Sequence, residues 1–116
     1  SRICKRLDDI KAKSDLLFDP LVSLPKLATA VGATPNQLSF VLNQHLCKSF
    51  FDFINEARTD EASRLLVNEP DRTILDIATS VGFNSKSTFN LAFKKITGKT
   101  PSVYRSETMS QRNTAP

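Results

Sequence analysis

Between Lys86 and Arg105 the sequence carries Lys86, Lys94, Lys95, Lys99 and Arg105, and neither aspartate nor glutamate. Clustered cations with no local acid suit a polyanion, because each can lie against a phosphate and release a condensed counterion. Ser87 and Asn90 are interleaved with these lysines and can donate and accept hydrogen bonds without charge. A merely solvated lysine face is the plain alternative, and it weakens if the same pattern recurs elsewhere in the chain. Other chemistries find little support. His45 is the only histidine and sits late in a helical pattern beside apolar positions, so no hydrolytic triad and no catalytic residue is assigned. Cys4 and Cys47 lie far apart, without metal-ligand spacing, and read as reduced thiols. The three glycines form no phosphate-cradling loop. No enzyme activity, metal or cofactor is expected.

The elements that must hold these residues follow from composition and periodicity. A chain of 116 residues with 40% hydrophobic content suits one compact domain, or two small units that lean on each other. Few glycines and repeated 3.6-residue patterns predict an all-α protein. The net charge of +4 and pI near 9.3 favour a polyanion only where charge is clustered. No apolar run approaches a membrane span, and nothing at the start resembles a signal peptide. A chain that opens on Ser1 rather than Met fits a piece of a longer protein.

Internal repetition is the most informative feature. "LPKLATAVGATPNQLSFVLNQHLCKSF" (24–50) lies over "ILDIATSVGFNSKSTFNLAFKKITGKTP" (74–101), with Leu27/Ile77, Ala28/Ala78, Thr29/Thr79, Val31/Val81 and Gly32/Gly82 in step. After one extra residue in the second turn, Leu38 pairs with Phe89, Leu42 with Phe93 and Ser49 with Thr100. Two copies about fifty residues apart are too few for a solenoid and read as a duplicated functional unit. In each copy a short helix ends at a glycine, a brief turn follows, and a second helix opens on a hydroxyl residue. Thr34 is an N-cap with Pro35 at the first helical position and Gln37 completing a capping box; Thr73 and Asp76 make a similar box, and Ser85 caps the last helix. This is the helix-turn-helix pattern, with Ala28 and Ala78 allowing the helices to cross closely.

Between the copies, "SFFDFINEARTDEASRLLVNEP" repeats apolar residues at 50, 53, 54, 57, 62, 65 and 66. Ser49 and Asp52 can box its start, and Asn68 and Pro70 end it. Some eighteen helical residues reach roughly 27 Å, a rod able to hold two recognition helices near the ~34 Å repeat of successive major grooves. Its acids, Asp52, Glu56, Asp60, Glu61 and Glu69, outnumber Arg58 and Arg64, so much of it should face away from a polyanion. Ile3, Leu7, Ile10 and Leu17 share helical spacing and predict an N-terminal helix packed on the first unit. Thr100 and Pro101 start a short closing helix through Tyr104. The expected divisions are 1–49 for the N-terminal helix and first unit, 50–69 for the linker helix, 70–107 for the second unit and closing helix, and 108–116 for a flexible tail.

The duplicated unit, the "DFINEAR…EASRLL" linker and the ending "GFNSKSTFNLAFKKITGKTPSVYR" closely resemble the DNA-binding domain of AraC/XylS-family transcription regulators over about residues 20–105. The resemblance implies a seven-helix domain with two helix-turn-helix units joined by a central helix, binding double-stranded promoter DNA in successive major grooves. It further implies a cytoplasmic activator that works with RNA polymerase. Members usually carry a separate sensing or dimerisation domain, which this chain would lack, and the full-length protein could be membrane-anchored through a missing N-terminal region. A helix-turn-helix scaffold used for protein interaction is the competing function.

Helical face arithmetic assigns the side chains. With Leu38, Leu42 and Leu46 inward, the first recognition helix presents Asn36, Ser39, Phe40 and Asn43. With Phe89, Phe93 and Ile96 inward, the second presents Lys86, Ser87, Asn90, Leu91 and Lys94. Asparagine pairs bidentately with adenine, lysine donates to guanine, and serine is permissive. Gln37, Lys94, Lys95 and Lys99 are assigned to phosphates. The resemblance places base contacts at the positions matching Asn36, Ser39, Phe40, Lys86, Ser87 and Leu91. Two of these depart from the family, where arginine is common: Phe40 and Leu91 either lie on a thymine methyl or brace against neighbouring stems or a partner protein. Cys47 stands where the repeat and the family have glycine, so the turn is either reshaped or tucks Cys47 into the core.

Overall fold

The computed structural model describes residues 2–113. Seven α-helices follow in order: α1 (Arg2–Lys13), α2 (Leu24–Ala30), α3 (Pro35–His45), α4 (Phe50–Asn68), α5 (Ile74–Ser80), α6 (Lys86–Thr97) and α7 (Pro101–Asn113), with a 3₁₀ turn at Leu16–Phe18 between the first two. Among the described residues there is no strand, and no helix is long and apolar enough to cross a membrane. The chain divides into two compact units, Ser1–Ala57 and Arg58–Pro116, with the division falling inside α4.

In the first unit, Leu7, Leu17, Leu27, Ala28, Val31, Leu38, Leu42, Phe53, Ile54 and Ala57 form the core, with Ile3, Ile10 and Leu46 packed against its edge. Leu17 reaches this core from the 3₁₀ turn rather than from α1. The helix stops at Lys13, and the Ser14 hydroxyl accepts the Leu16 amide at 3.1 Å. From α1, Arg6 Nη1 donates to the Val31 carbonyl at 2.9 Å, bracing the end of α2.

In the second unit, Ala62, Leu65, Leu66, Ile77, Ala78, Val81, Phe83, Phe89 and Phe93 are buried. Their aromatic rings form a chain, Phe83 to Phe89 at 5.2 Å, Phe89 to Phe93 at 5.5 Å and Phe93 to Tyr104 at 5.3 Å between centroids. Each such pair contributes roughly 1 kcal/mol beyond area burial. Arg58, counted in the sequence as a surface charge of α4, is buried, with its guanidinium 5.6 Å from the centre of the Phe83 ring.

The two copies end their first helices in the same way. Ala33 N–H donates to Ala28 O at 2.9 Å and Gly32 N–H to Thr29 O at 3.1 Å; Phe83 N–H donates to Ala78 O at 3.0 Å and Gly82 N–H to Thr79 O at 3.1 Å. This paired closure needs a left-handed residue, and Gly32 (φ 71°) and Gly82 (φ 105°) supply it. After α3 the left-handed residue is Cys47 at φ 54°. It is exposed, so it does not tuck into the core, and the turn keeps the backbone conformation that glycine favours. Cys47 bears a steric cost of about 1 kcal/mol there.

α7 corrects the sequence expectation of a closing helix that stops near Tyr104. Thr100 Oγ1 accepts the Val103 amide at 3.3 Å to start it, and the helix runs on to Asn113. No glycine or proline interrupts residues 102–113, and Lys99 pairs with Glu107, which ties the second turn of α7 to the preceding loop. Of the expected tail, 108–113 is therefore helical and 114–116 lie outside the described residues.

Candidate nucleic-acid interface

α3 and α6 are the second helices of the two helix-turn-helix units, and their first turns are fixed by side-chain caps. At α3, Thr34 Oγ1 accepts the Gln37 amide at 3.1 Å while Gln37 Oε1 accepts the Thr34 amide at 2.9 Å, a complete capping box. The box consumes one face of the Gln37 amide oxygen and leaves its NH₂ group to donate outward. At α6, Ser85 Oγ accepts the Thr88 amide at 3.1 Å and hydrogen-bonds the Thr88 hydroxyl at 2.9 Å. The box expected at α5 is half formed: Thr73 Oγ1 accepts the Asp76 amide at 3.0 Å, but Arg72 Nε binds the Asp76 carboxylate at 2.6 Å.

The cores behind the two helices orient their outer faces. Leu38 and Leu42 are buried under α3, Phe89 and Phe93 under α6. Successive helical residues turn by about 100°, so Phe40 stands opposite the midpoint of Leu38 and Leu42, and Leu91 opposite the midpoint of Phe89 and Phe93. The structure exposes both, Phe40 at 62% and Leu91 at 74%. Asn36, Asn43 and Gln37 are exposed on α3, and Lys86, Ser87, Lys94 and Lys95 on α6, whereas Ser39 and Asn90, at equivalent positions, are half-buried at the rim. Thus Asn36, Ser39, Phe40 and Asn43 share one outer face, and Ser87, Asn90, Leu91 and Lys94 another, with Lys86 at the start of that helix.

Two sequence assignments change, those of Ile96 and Arg105, and Lys99 gains a competing partner. Ile96, placed inward, is 39% exposed, because the ring chain under α6 turns from Phe93 to Tyr104 and the last turn closes through Thr97. The Thr97 hydroxyl bonds Phe93 O at 2.8 Å and Lys99 O at 3.1 Å. Lys99, assigned to phosphate, is ion-paired with Glu107. Arg105, counted in the cationic run, turns its guanidinium onto the backbone: Nε donates to Leu66 O at 3.0 Å, Nη1 to Arg72 O at 2.7 Å and Nη2 to Glu69 O at 3.3 Å. It caps the end of α4 and the following turn. The only sequence hint was a helix ending before Pro70 without a glycine, and nothing in the spacing pointed to a partner in α7.

The cations left on the outer face of α6 are Lys86, Lys94 and Lys95, none ion-paired among the described residues. Acid–base partners cluster elsewhere. Hydrogen bonding from Arg64 holds the Glu61 carboxyl below its usual range against a smaller opposing effect of burial, and Lys48 binds Glu56 at 2.5 Å. Among the described residues no group of histidines, cysteines and acids could hold a metal.

A family model described as a helix-turn-helix domain matches residues 27–107. An uncharacterised HTH-type transcriptional regulator of Staphylococcus aureus (strain COL) is 36% identical over 93 residues, which is 80% of this chain and 12% of that protein. The melibiose operon regulatory protein of Escherichia coli (strain K12) is 28% identical over 99 residues, 85% of this chain and 32% of the relative. The chain therefore spans well under half the length of either. Among solved structures, the C-terminal domain of AraT, a response regulator from Geobacillus stearothermophilus, aligns with a TM-score of 0.77 at 26% identity, covering 92% of this chain and 85% of that one. The DNA-binding domain of AdpA, solved with a target DNA, shares the fold at a TM-score of 0.82 and 16% identity over 99% of both chains. With the family match spanning most of the chain, and seven helices arranged as two capped helix-turn-helix units, the chain belongs to the AraC-type helix-turn-helix family and is the DNA-binding domain of a transcription regulator.

Proposed function

We propose that this domain binds double-stranded promoter DNA sequence-specifically, with α3 and α6 each entering a major-groove segment. Asn36, Ser39, Asn43, Lys86, Ser87 and Asn90 face base edges, with Phe40 and Leu91 at the centre of each face. Gln37, Lys94 and Lys95 hold phosphates. Lys99 contributes less, because Glu107 competes for its ammonium group. The observation that carries this reading is the recurrence, in both units, of one exposed hydrogen-bonding stripe opposite a buried core on a capped second helix. The family supports a role in the cytoplasm with RNA polymerase, in activation, as part of a longer protein that senses a signal or dimerises through another domain.

The test is selection of duplexes from a random pool by the purified chain, followed by titration of the winner at several salt concentrations. Enrichment of a defined sequence, with affinity falling linearly in log salt, is expected. No enrichment over random duplex overturns the reading and favours the protein-interaction scaffold, for which the exposure of Phe40 and Leu91 is the favouring observation.

A further inference from the structure

Phe40 and Leu91 are large apolar side chains left in solvent at the outermost point of α3 and α6. An isolated exposed apolar residue needs no explanation; the same exposure at the equivalent position of both copies does. The neighbours separate the candidate occupants. One turn to either side of Phe40 stand Asn36, Gln37, Asn43 and Gln44, four carboxamides, all exposed. Around Leu91 the same positions hold Ser87, Thr88, Lys94 and Lys95, also all exposed. A protein-docking face needs a contiguous apolar patch with few charges at its centre, and neither helix offers one. A single apolar side chain ringed by hydrogen-bonding groups matches instead a surface that is polar except for one methyl group. In the major groove that surface is the A·T pair, where the thymine C5-methyl adjoins thymine O4 on the same edge that carries the adenine N6 and N7 a carboxamide reads bidentately.

We propose that Phe40 and Leu91 are specificity-determining residues that each lie on a thymine methyl, so that α3 and α6 both select an A·T pair at the centre of their footprints. On α3, Asn36 or Asn43 takes an adenine edge in the same or the adjoining pair. On α6, Lys94 and Lys95 hold the flanking phosphates, and the methyl contact supplies selectivity that those phosphate contacts lack. The inference rests on the DNA-binding reading above and adds to it the identity of the base.

The experiment uses the duplex enriched from the random pool, resynthesised with deoxyuridine replacing each thymidine in turn, which deletes only the methyl. Wild-type chain should lose about four-fold in affinity at two thymines, the scale of one buried carbon. Leu91→Ala should become indifferent to uridine at one of these positions and keep the loss at the other; Phe40→Ala should show the converse. Both positions are exposed, so the variants should keep the wild-type circular dichroism. Wild-type chain that selects a defined sequence but ignores every uridine overturns the proposal while leaving sequence-specific binding intact. Leu91→Ala that weakens binding to all duplexes equally overturns it as well. Failure to enrich any sequence removes the DNA-binding reading and this proposal together.

Discussion

Replacing Arg105 by methionine keeps an unbranched apolar stem, though a shorter one, and removes three hydrogen bonds, to Leu66 O at 3.0 Å, Arg72 O at 2.7 Å and Glu69 O at 3.3 Å. α4 ends at Asn68, so Leu66 O is one of the carbonyls that an α-helix cannot satisfy internally, and the other two belong to the turn leading to α5. A hydrogen bond from a charged donor is worth about 1.5–3 kcal/mol when buried. Arg105 is half-buried, and water can replace part of what is lost, so the low end applies to the two shorter bonds and little to the third. The expected cost is about 2–3 kcal/mol in urea unfolding, or a melting temperature lower by roughly 10 °C. Arg105→Lys, which retains the charge but presents a point donor in place of the planar fork, should recover less than half. DNA affinity of the folded variant should keep its salt slope, because the guanidinium is already committed to backbone carbonyls. A variant as stable as wild type, with a log–log salt slope shallower by about 0.9, would refute the reasoning: Arg105 would then be a phosphate contact.

The remaining predictions concern charge and backbone strain. Lys94→Ala and Lys95→Ala should each make the log–log salt slope shallower by about 0.9, whereas Lys99→Ala should change it less, and Glu107→Gln should raise affinity by freeing Lys99; salt titration of DNA binding checks all four. Cys47→Gly should stabilise the first unit by a few tenths of a kcal/mol to about 1 kcal/mol, relief of the left-handed strain exceeding the added entropy of the unfolded chain, as read by denaturant midpoint. Glu61 has a folded-state pKa lowered by Arg64, so its stabilisation is present above the unfolded carboxyl pKa and lost as pH falls through the folded one. Glu61→Gln should therefore flatten the acid side of the stability profile and leave its shape above neutral pH unchanged.

How much of this was legible depended on whether a residue's role was local. Caps are local: Thr34, Gln37 and Ser85 announce themselves by type and by distance from the first helical turn, and all three bond as their positions predict. The repeat placed Gly32 and Gly82 at helix ends for the same reason. Long-range partners were invisible. Arg105 finds carbonyls 33 to 39 residues earlier, and a run of positive residues in the sequence cannot distinguish a guanidinium facing phosphate from one folded back on a helix end. Arg58 has the same difficulty: its neighbours along α4 are mixed, and only Phe83, arriving from the turn between α5 and α6, makes it a buried stacking partner. Ile96 failed through geometry, since helical periodicity assumes a core that extends under the whole helix, and here Tyr104 ends it after Phe93.

Removing Arg105 from the cationic run, with Lys99 drawn partly onto Glu107, sharpens the contrast between the two copies. Phe40 and Leu91 occupy the same place on α3 and α6, and the duplication preserved cap, core and pole while changing what stands beside the pole. On α3 the flanking side chains are neutral carboxamides, which gain little from counterion release and must act through directional hydrogen bonds. On α6 they include two lysines near the C-terminal end, which the helix dipole also favours and which depend strongly on salt. On the proposed DNA-binding reading, the copies differ in the physical mechanism they weight. Substitutions of Lys94 or Lys95 on α6 should move the salt dependence, while substitutions of Asn36 or Asn43 on α3, like those of Leu91, should change which duplex is preferred and leave the slope alone. One fold repeated twice can thus weight holding and reading differently in its two copies, because a single stripe on a capped helix is indifferent to whether charge or hydrogen bonding fills it.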